Sequence, residues 1–138
     1  SPNAGAGGFR KQRNKLSQPL GGIVSQQFGS KDSVTGLSRQ GVLIQSASGQ
    51  PVHAVFDGEA IFSDWLRGYG QLIILDHGDG YMSLYGHNQD VFVGVGDKVA
   101  VGQVISSAGV SGGLAQAGLY FEIRHNGDPI NPAGWLQN

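Results

Sequence analysis

Short apolar runs alternate with glycine-bearing polar breaks along most of the chain, and no useful length carries apolar residues at helical spacing. From Leu20 onward this pattern predicts strands. Residues 22–29 form a short run ending at Gly29, and residues 41–45 form a second. Between them residues 30–38 are polar around Gly36 and read as a loop. Residues 52–55 lead into Asp57-Gly58, and residues 59–62 lead out of it. Leu72 to Leu75 is apolar without a break, as expected of a buried strand. Asp79-Gly80 separates that run from residues 81–85. Asp-Gly between apolar runs predicts a tight hairpin at both places, because glycine accepts positive φ without a Cβ clash. Further strands are expected at 91–93, 104–106 and 119–124, before a tail ending at Trp135-Leu136. The predicted class is all-β, with two packed antiparallel sheets or a flattened barrel.

The start of the chain breaks this pattern. Residues 1–16 are Gly/Ala-rich and then basic, with Arg10, Lys11, Arg13 and Lys15. They predict a flexible basic linker ahead of one folded domain at 17–138. Glycine, at 24 of 138 residues, has no collagen-like period and suits many tight turns. A net charge of −1 gives no reason to expect nucleic acid or anionic lipid as a partner. The chain has no cysteine, which excludes disulfides and cysteine-based zinc sites. No run is long and apolar enough to span a bilayer. No signal peptide is visible, so the sequence is expected to be part of a longer exported chain.

Candidate chemistry is sparse. Of the four histidines, His53, His77 and His125 stand apart, without the close spacing that brings metal ligands together. His77, at a strand end, reads as structural; His125, before the Asn126-Gly127 turn, reads as exposed. Ser83, His87 and Asp90 supply the residue types of a Ser-His-Asp hydrolase, but no serine sits in a Gly-x-Ser-x-Gly elbow.

Three segments carry a family resemblance. They are Gly118-Leu119-Tyr120-Phe121-Glu122-Ile123-Arg124, Gly80-Tyr81-Met82-Ser83-Leu84-Tyr85-Gly86-His87-Asn88, and Val95-Gly96-Asp97-Lys98-Val99 with its continuation to Val104. Together they resemble the lysostaphin/LytM-type zinc peptidases, which cleave cell-wall peptide cross-links, over about residues 18–136. The third segment also occurs in biotinyl/lipoyl carriers, but no carrier-type Met-Lys-Met hairpin is present. The resemblance implies the LytM/lysostaphin-like, duplicated hybrid-motif version of the all-β fold. In active members a His-x-x-x-Asp stretch and one histidine of a His-x-His strand hold zinc. The other histidine of that pair and one from a Tyr-x-His turn flank the substrate. The matching positions here are Arg39 and Leu43, then Gly118 and Tyr120; only His87 persists. Leucine has no lone pair to donate, arginine is a fixed cation, and tyrosine ligates weakly while it keeps its proton. A hydrolytic zinc needs three protein ligands and an open position. The expectation is therefore no metal, no cofactor and no catalysis.

Among inactive LytM domains, the EnvC-like group is the one that the flanking words resemble. These words are Asp64-Trp65-Leu66-Arg67-Gly68-Tyr69-Gly70 within residues 57–70, Met82 to Gly86, and Ile130-Asn131-Pro132 with Trp135-Leu136. NlpD-type domains fit them less well. The resemblance implies a non-catalytic activator of the N-acetylmuramoyl-L-alanine amidases that split septal peptidoglycan, in the periplasm of a Gram-negative bacterium at the division septum. Peptidoglycan and division-site membrane proteins are further expected partners, through regions outside this sequence. The vacated site would serve as a partner-binding groove lined by Arg39, Gln40, Leu43, Tyr69, Leu72, Tyr85, His87, Tyr120 and Arg124. Aromatic rings and arginine in a concave patch have the composition of a protein-binding hot spot, and a partner helix could lie there. Leu72 suits the core equally well, and Tyr85 and Tyr120 could pack inward with only their hydroxyls showing. The rival readings are a peptidoglycan-binding module and a residual zinc endopeptidase.

Overall fold

The computed structural model describes residues 8–137. Ten strands follow in order: β1 (Ile23–Gln26), β2 (Val42–Gln45), β3 (Pro51–His53), β4 (Gly58–Leu66), β5 (Gly70–Gly78), β6 (Tyr81–Val91), β7 (Lys98–Val99), β8 (Val104–Ala108), β9 (Gly118–His125) and β10 (Asp128–Ile130). All their pairings are antiparallel. The main sheet runs β1-β2-β9-β6-β5-β4-β7, with β10 beside β9. The all-β antiparallel class predicted from the sequence is the one observed. The two expected layers, however, form a single hydrogen-bonded network. β6 pairs with β5 and β9 along its first part, and its end passes to β8, which carries β3.

The period-2 alternation of each strand sorts its side chains between two faces. Val42 and Ile44 of β2, Ile73 and Leu75 of β5, Tyr81 and Tyr85 of β6, and Leu119, Phe121 and Ile123 of β9 point into the core. There they meet Val52, Val55 and Ile105 from the β3–β8 arm. Burying each such side chain stabilises the fold by about 1.5–3 kcal/mol relative to leaving it exposed. The intervening residues, including Leu43, Leu84, Tyr120, Glu122 and Arg124, belong to the opposite face, and this is the face that carries the site.

The two Asp-Gly words behave differently. Asp79 (φ 54) and Gly80 (φ 81) join β5 to β6 in a two-residue turn of the type I′ kind. Asp57-Gly58 is not a hairpin, because β3 pairs with β8 rather than with β4. The backbone of the intervening stretch is claimed by distant groups. Ala54 exchanges hydrogen bonds with the 102–103 turn, Val55 N–H donates to the Tyr85 hydroxyl, and the Asp57 carbonyl accepts from the His77 ring. The run 91–93 is not a strand of its own: β6 ends at Val91 and Phe92 is exposed.

The expected linker is also corrected for the residues described. Residues 9–11 form a 3-10 turn, and Phe9 is fully buried against His77, Tyr81 and Trp135 at 4.9–5.0 Å between ring centroids. Arg13 lies 4.8 Å over the Trp135 ring, and Leu16 bridges to Leu136. One buried aromatic and this pairing fix the arm to the C-terminal segment. The portion of the expected linker at residues 1–7 lies outside the described residues.

Candidate functional site

On the outer face, β2 and β9 set Leu43 directly opposite Tyr120, and β6 sets Gly86 opposite Tyr120 on the other side. Tyr120 lies at the centre of an open cleft of about 740 Å³. Its floor is Gln40, Tyr120 and His87; one wall is the 32–38 loop and the other is Gly68 and Tyr69. Leu43, half-buried, lines a second hollow of about 310 Å³ beyond it, closed by residues 114–117. Because Leu43 and Tyr120 are cross-strand neighbours, the two hollows adjoin along one sheet face. Leu37, 70% exposed, stands on the loop wall.

A polar chain runs along β9 beneath this floor. Tyr120, Glu122 and Arg124 alternate onto one face. The Tyr120 hydroxyl donates to Glu122 Oε2, and Arg124 Nε donates to Glu122 Oε1 at 2.6 Å. Glu122 is fully buried, so its carboxylate is sustained by these two donors. Burial first, and then the hydrogen bond to Glu122, push the Tyr120 phenol far above its ordinary value. Burial, and then the Glu122 charge, also raise Tyr69, whose ring lies 5.7 Å from that of Tyr120. The bond to Glu122 leads in raising Arg124, which also reaches Gln40 Oε1 at 3.4 Å.

The expected groove residues divide. Gln40, Tyr69, His87 and Tyr120 line the main cleft, Leu43 its extension, and Arg124 supports the floor from the edge. Tyr85 does not reach this face. It is fully buried on the core side of β6, and its hydroxyl bonds to Ser83 and to Val55 N–H. Leu72 is 0% exposed and so cannot touch a partner, although alternation places it on the groove side of β5. Arg39 is drawn away into the loop. It donates to Gln26 Oε1, Ser30 Oγ and the Lys31 carbonyl, with Asp32 at 3.7 Å. Glu122 was missed as a site residue, yet its signal was present: a carboxylate two residues from Tyr120 and two from Arg124 shares their face.

The positions that the family resemblance assigns to zinc carry side chains unsuited to it. Arg39 is a fixed cation engaged elsewhere, Leu43 has no donor, and Tyr120 keeps its proton on a bond to Glu122. At Gly118 a Cβ would stand 2.4 Å from the Ile44 carbonyl oxygen, so no side chain enters without moving the backbone. Among the described residues, no group of three His, Cys, Asp or Glu side chains is placed to hold a metal. These donors do not fit zinc.

The remaining histidines are structural in their contacts. His77 Nδ1–H donates to the Asp57 carbonyl, so Nε2 accepts from Ser83 Oγ at 2.6 Å, and the Tyr85 hydroxyl completes the chain. Burial pulls His77 down to about 4. Ser83 is locked in this chain on the core face and is no nucleophile for His87 or Asp90. His125, expected to be exposed, is half-buried and stacks on Tyr81 at 4.0 Å. His53 bonds the Gly102 carbonyl at 2.9 Å.

An antiparallel β-domain with a cleft at this place belongs to a known class. Residues 38–132 match Peptidase family M23, and the chain belongs to that family. It is 41% identical, over 94% of its length, to the Murein hydrolase activator EnvC of Escherichia coli, and 37% identical, over 86%, to the Murein hydrolase activator NlpD of the same organism. It covers 31% of the first and 30% of the second, about a third of the length of the curated relatives it matches. Among solved structures, a zinc-containing peptidase from Vibrio cholerae superposes with a TM-score of 0.81 at 24% identity, over 89% of this chain and 40% of that one. The catalytic domain of lysostaphin from Staphylococcus simulans gives 0.72 at 28% identity, over 78% of this chain and 86% of that one. The first of these likenesses speaks to the fold alone.

Proposed function

We propose that this domain is a non-catalytic activator of periplasmic N-acetylmuramoyl-L-alanine amidases that split septal peptidoglycan. The observation that carries the proposal is the state of the M23 site. An open groove persists, but the positions for zinc hold Arg39, Leu43 and Tyr120, and the buried carboxylate beside them is consumed by Tyr120 and Arg124. The relatives named as murein hydrolase activators support a regulatory role in wall hydrolysis. In this reading an apolar helix of the amidase, the element that blocks its active site, lies along the groove over Leu43 and Tyr120, between the 32–38 loop and Tyr69. Activation requires only that the domain bind the open amidase better than the closed one.

The decisive experiment combines the purified domain, a purified amidase and dye-labelled sacculi. The domain alone is expected to release nothing, and the mixture to exceed the amidase alone. Leu43→Glu is the preferred variant, because the Leu43 side chain belongs to no hydrogen-bond chain; it should abolish stimulation at unchanged thermal stability. Arg124 is a poorer choice, since its loss also strands Glu122. Dye release by the domain alone, with stoichiometric zinc, would establish the endopeptidase reading instead. Retention on sacculi without any effect on the amidase would establish a wall-binding module.

A further inference from the structure

His87 occupies an unusual backbone position on the groove floor. Among the described residues, four that are not glycine have positive φ: Asn14, Asp79, His87 and Asn126. The other three are short Asx side chains in turns. His87, at φ 64, lies within β6 at the register shift of its pairing with β5, between the Tyr85–Ile73 and Asn88–Gln71 pairs, where β6 leaves β9 for β8. Bulges of this kind re-aim a side chain. Glycine would adopt this conformation without the Cβ clash that histidine bears.

The ring is then fixed from behind. His87 N–H donates to the Tyr69 carbonyl at 2.7 Å, and Nδ1 lies 2.7 Å from the Ser111 carbonyl. A carbonyl only accepts, so in the neutral ring the proton sits on Nδ1 and Nε2 carries a lone pair. Ser111 is itself held, its hydroxyl donating to the Asn88 carbonyl at 2.6 Å and accepting from Gln71 N–H at 3.0 Å. Nε2 is not buried and has no hydrogen-bond partner among the described residues. The ring lines the cleft, 6.3 Å from that of Tyr120 in edge-to-face orientation, and the Tyr69 ring, which lines the same cleft, is 5.7 Å from that of Tyr120.

We propose that His87 is a specificity-determining acceptor: its Nε2 lone pair receives a hydrogen bond from an N–H or O–H side chain of the segment that enters the groove. This rests on the reading that the groove binds an amidase segment. The site suits such a contact. Tyr69 and Tyr120 wall the recess, so a docked segment would strip water from Nε2, and a segment without a donor would leave that acceptor unpaired. Asp32 on the cleft wall is paired with Arg39, and Arg124 with Glu122, so discrimination falls to uncharged polar groups, and the lone pair is an acceptor among them beside Ser38, Gln40 and Tyr69.

The test compares wild type, His87→Gly and His87→Phe in amidase binding by calorimetry, in stimulation of dye release, and in thermal unfolding. The glycine variant should be as stable as wild type or more so, yet bind about tenfold more weakly, the size of one lost hydrogen bond. The phenylalanine variant, which keeps a ring but no acceptor, should bind as weakly. Wild-type binding by His87→Phe would show that the ring only fills space and would overturn the assignment, as would wild-type binding by His87→Gly. The glycine variant keeps the test readable if the phenylalanine variant fails to fold. A wild-type domain that neither binds nor stimulates the amidase overturns the groove reading, and this assignment with it.

Discussion

Tyr120 shows how one substitution changes what a position can do. Placed where the family resemblance expects a zinc-binding histidine, it is no weak ligand in waiting, because its proton is committed to Glu122 and burial disfavours the phenolate. Its phenol has become a structural donor to a buried carboxylate. Tyr120→Phe should therefore destabilise the domain by about 1–3 kcal/mol, since Glu122 would keep only the Arg124 bond. Urea unfolding measures this, and an unchanged midpoint would mean that water replaces the phenol. That Leu43 and Tyr120 share one site was legible from the sequence, because both fall inside recognisable words, and the strand register sets them opposite each other. The Tyr120-Glu122-Arg124 chain was legible in principle from alternation alone. The burial of Tyr85 was not, because the sequence does not say which face of β6 the core takes until the register is known.

At the scale of elements, identical words gave different structures. Asp79-Gly80 joins two long neighbouring strands and closes a hairpin; Asp57-Gly58 sits between strands that never pair, because Tyr85, His77 and the 102–103 turn claim the local backbone. No local rule finds partners 20 to 50 residues away. The same holds for the arm at residues 8–16, where one Phe among glycines and basic residues looks like a linker until its aromatic socket is in place. Phe9→Ala should cost about 3–5 kcal/mol in chemical denaturation, as for a buried core ring, whereas a true linker residue would cost nothing. The His77 chain beneath Phe9 makes stability depend on pH. Its folded value, about 4, lies below the ordinary 6.5 because burial disfavours the cation, so the unfolded chain binds more protons between those values. This contribution is complete above pH 6.5 and falls as pH drops toward 4, by roughly 3 kcal/mol at most. In His77→Gln the amide can donate to Asp57 and accept from Ser83. Its unfolding free energy should lose much less between pH 7 and pH 4.5 than that of wild type. Parallel profiles would remove His77 as the cause.

Across the whole molecule, the groove is long, shallow and electrically quiet. It runs from the 32–38 loop past Tyr120 to the hollow beyond Leu43, with apolar Leu37 exposed on one rim. Asp32 and Arg39 face each other at 3.7 Å, Arg124 is paired with Glu122, and the chain carries a net charge of −1. Long-range steering therefore has little to act on, and neither charge pair needs to break for a helix to lie across Leu43 and Tyr120. If the groove binds an amidase segment as proposed, its affinity comes mainly from apolar burial. Two consequences separate this from an interface held by ion pairs. The dissociation constant should change by less than about threefold between 50 and 300 mM salt, because screening acts on exposed charges and not on buried apolar area. The binding heat capacity should be clearly negative, the marker of apolar surface leaving water. Calorimetry at two salt concentrations and three temperatures measures both. A steep loss of affinity with salt would mean that Arg39 and Arg124 leave their carboxylates to meet the partner, and that the groove works by exchanging ion pairs.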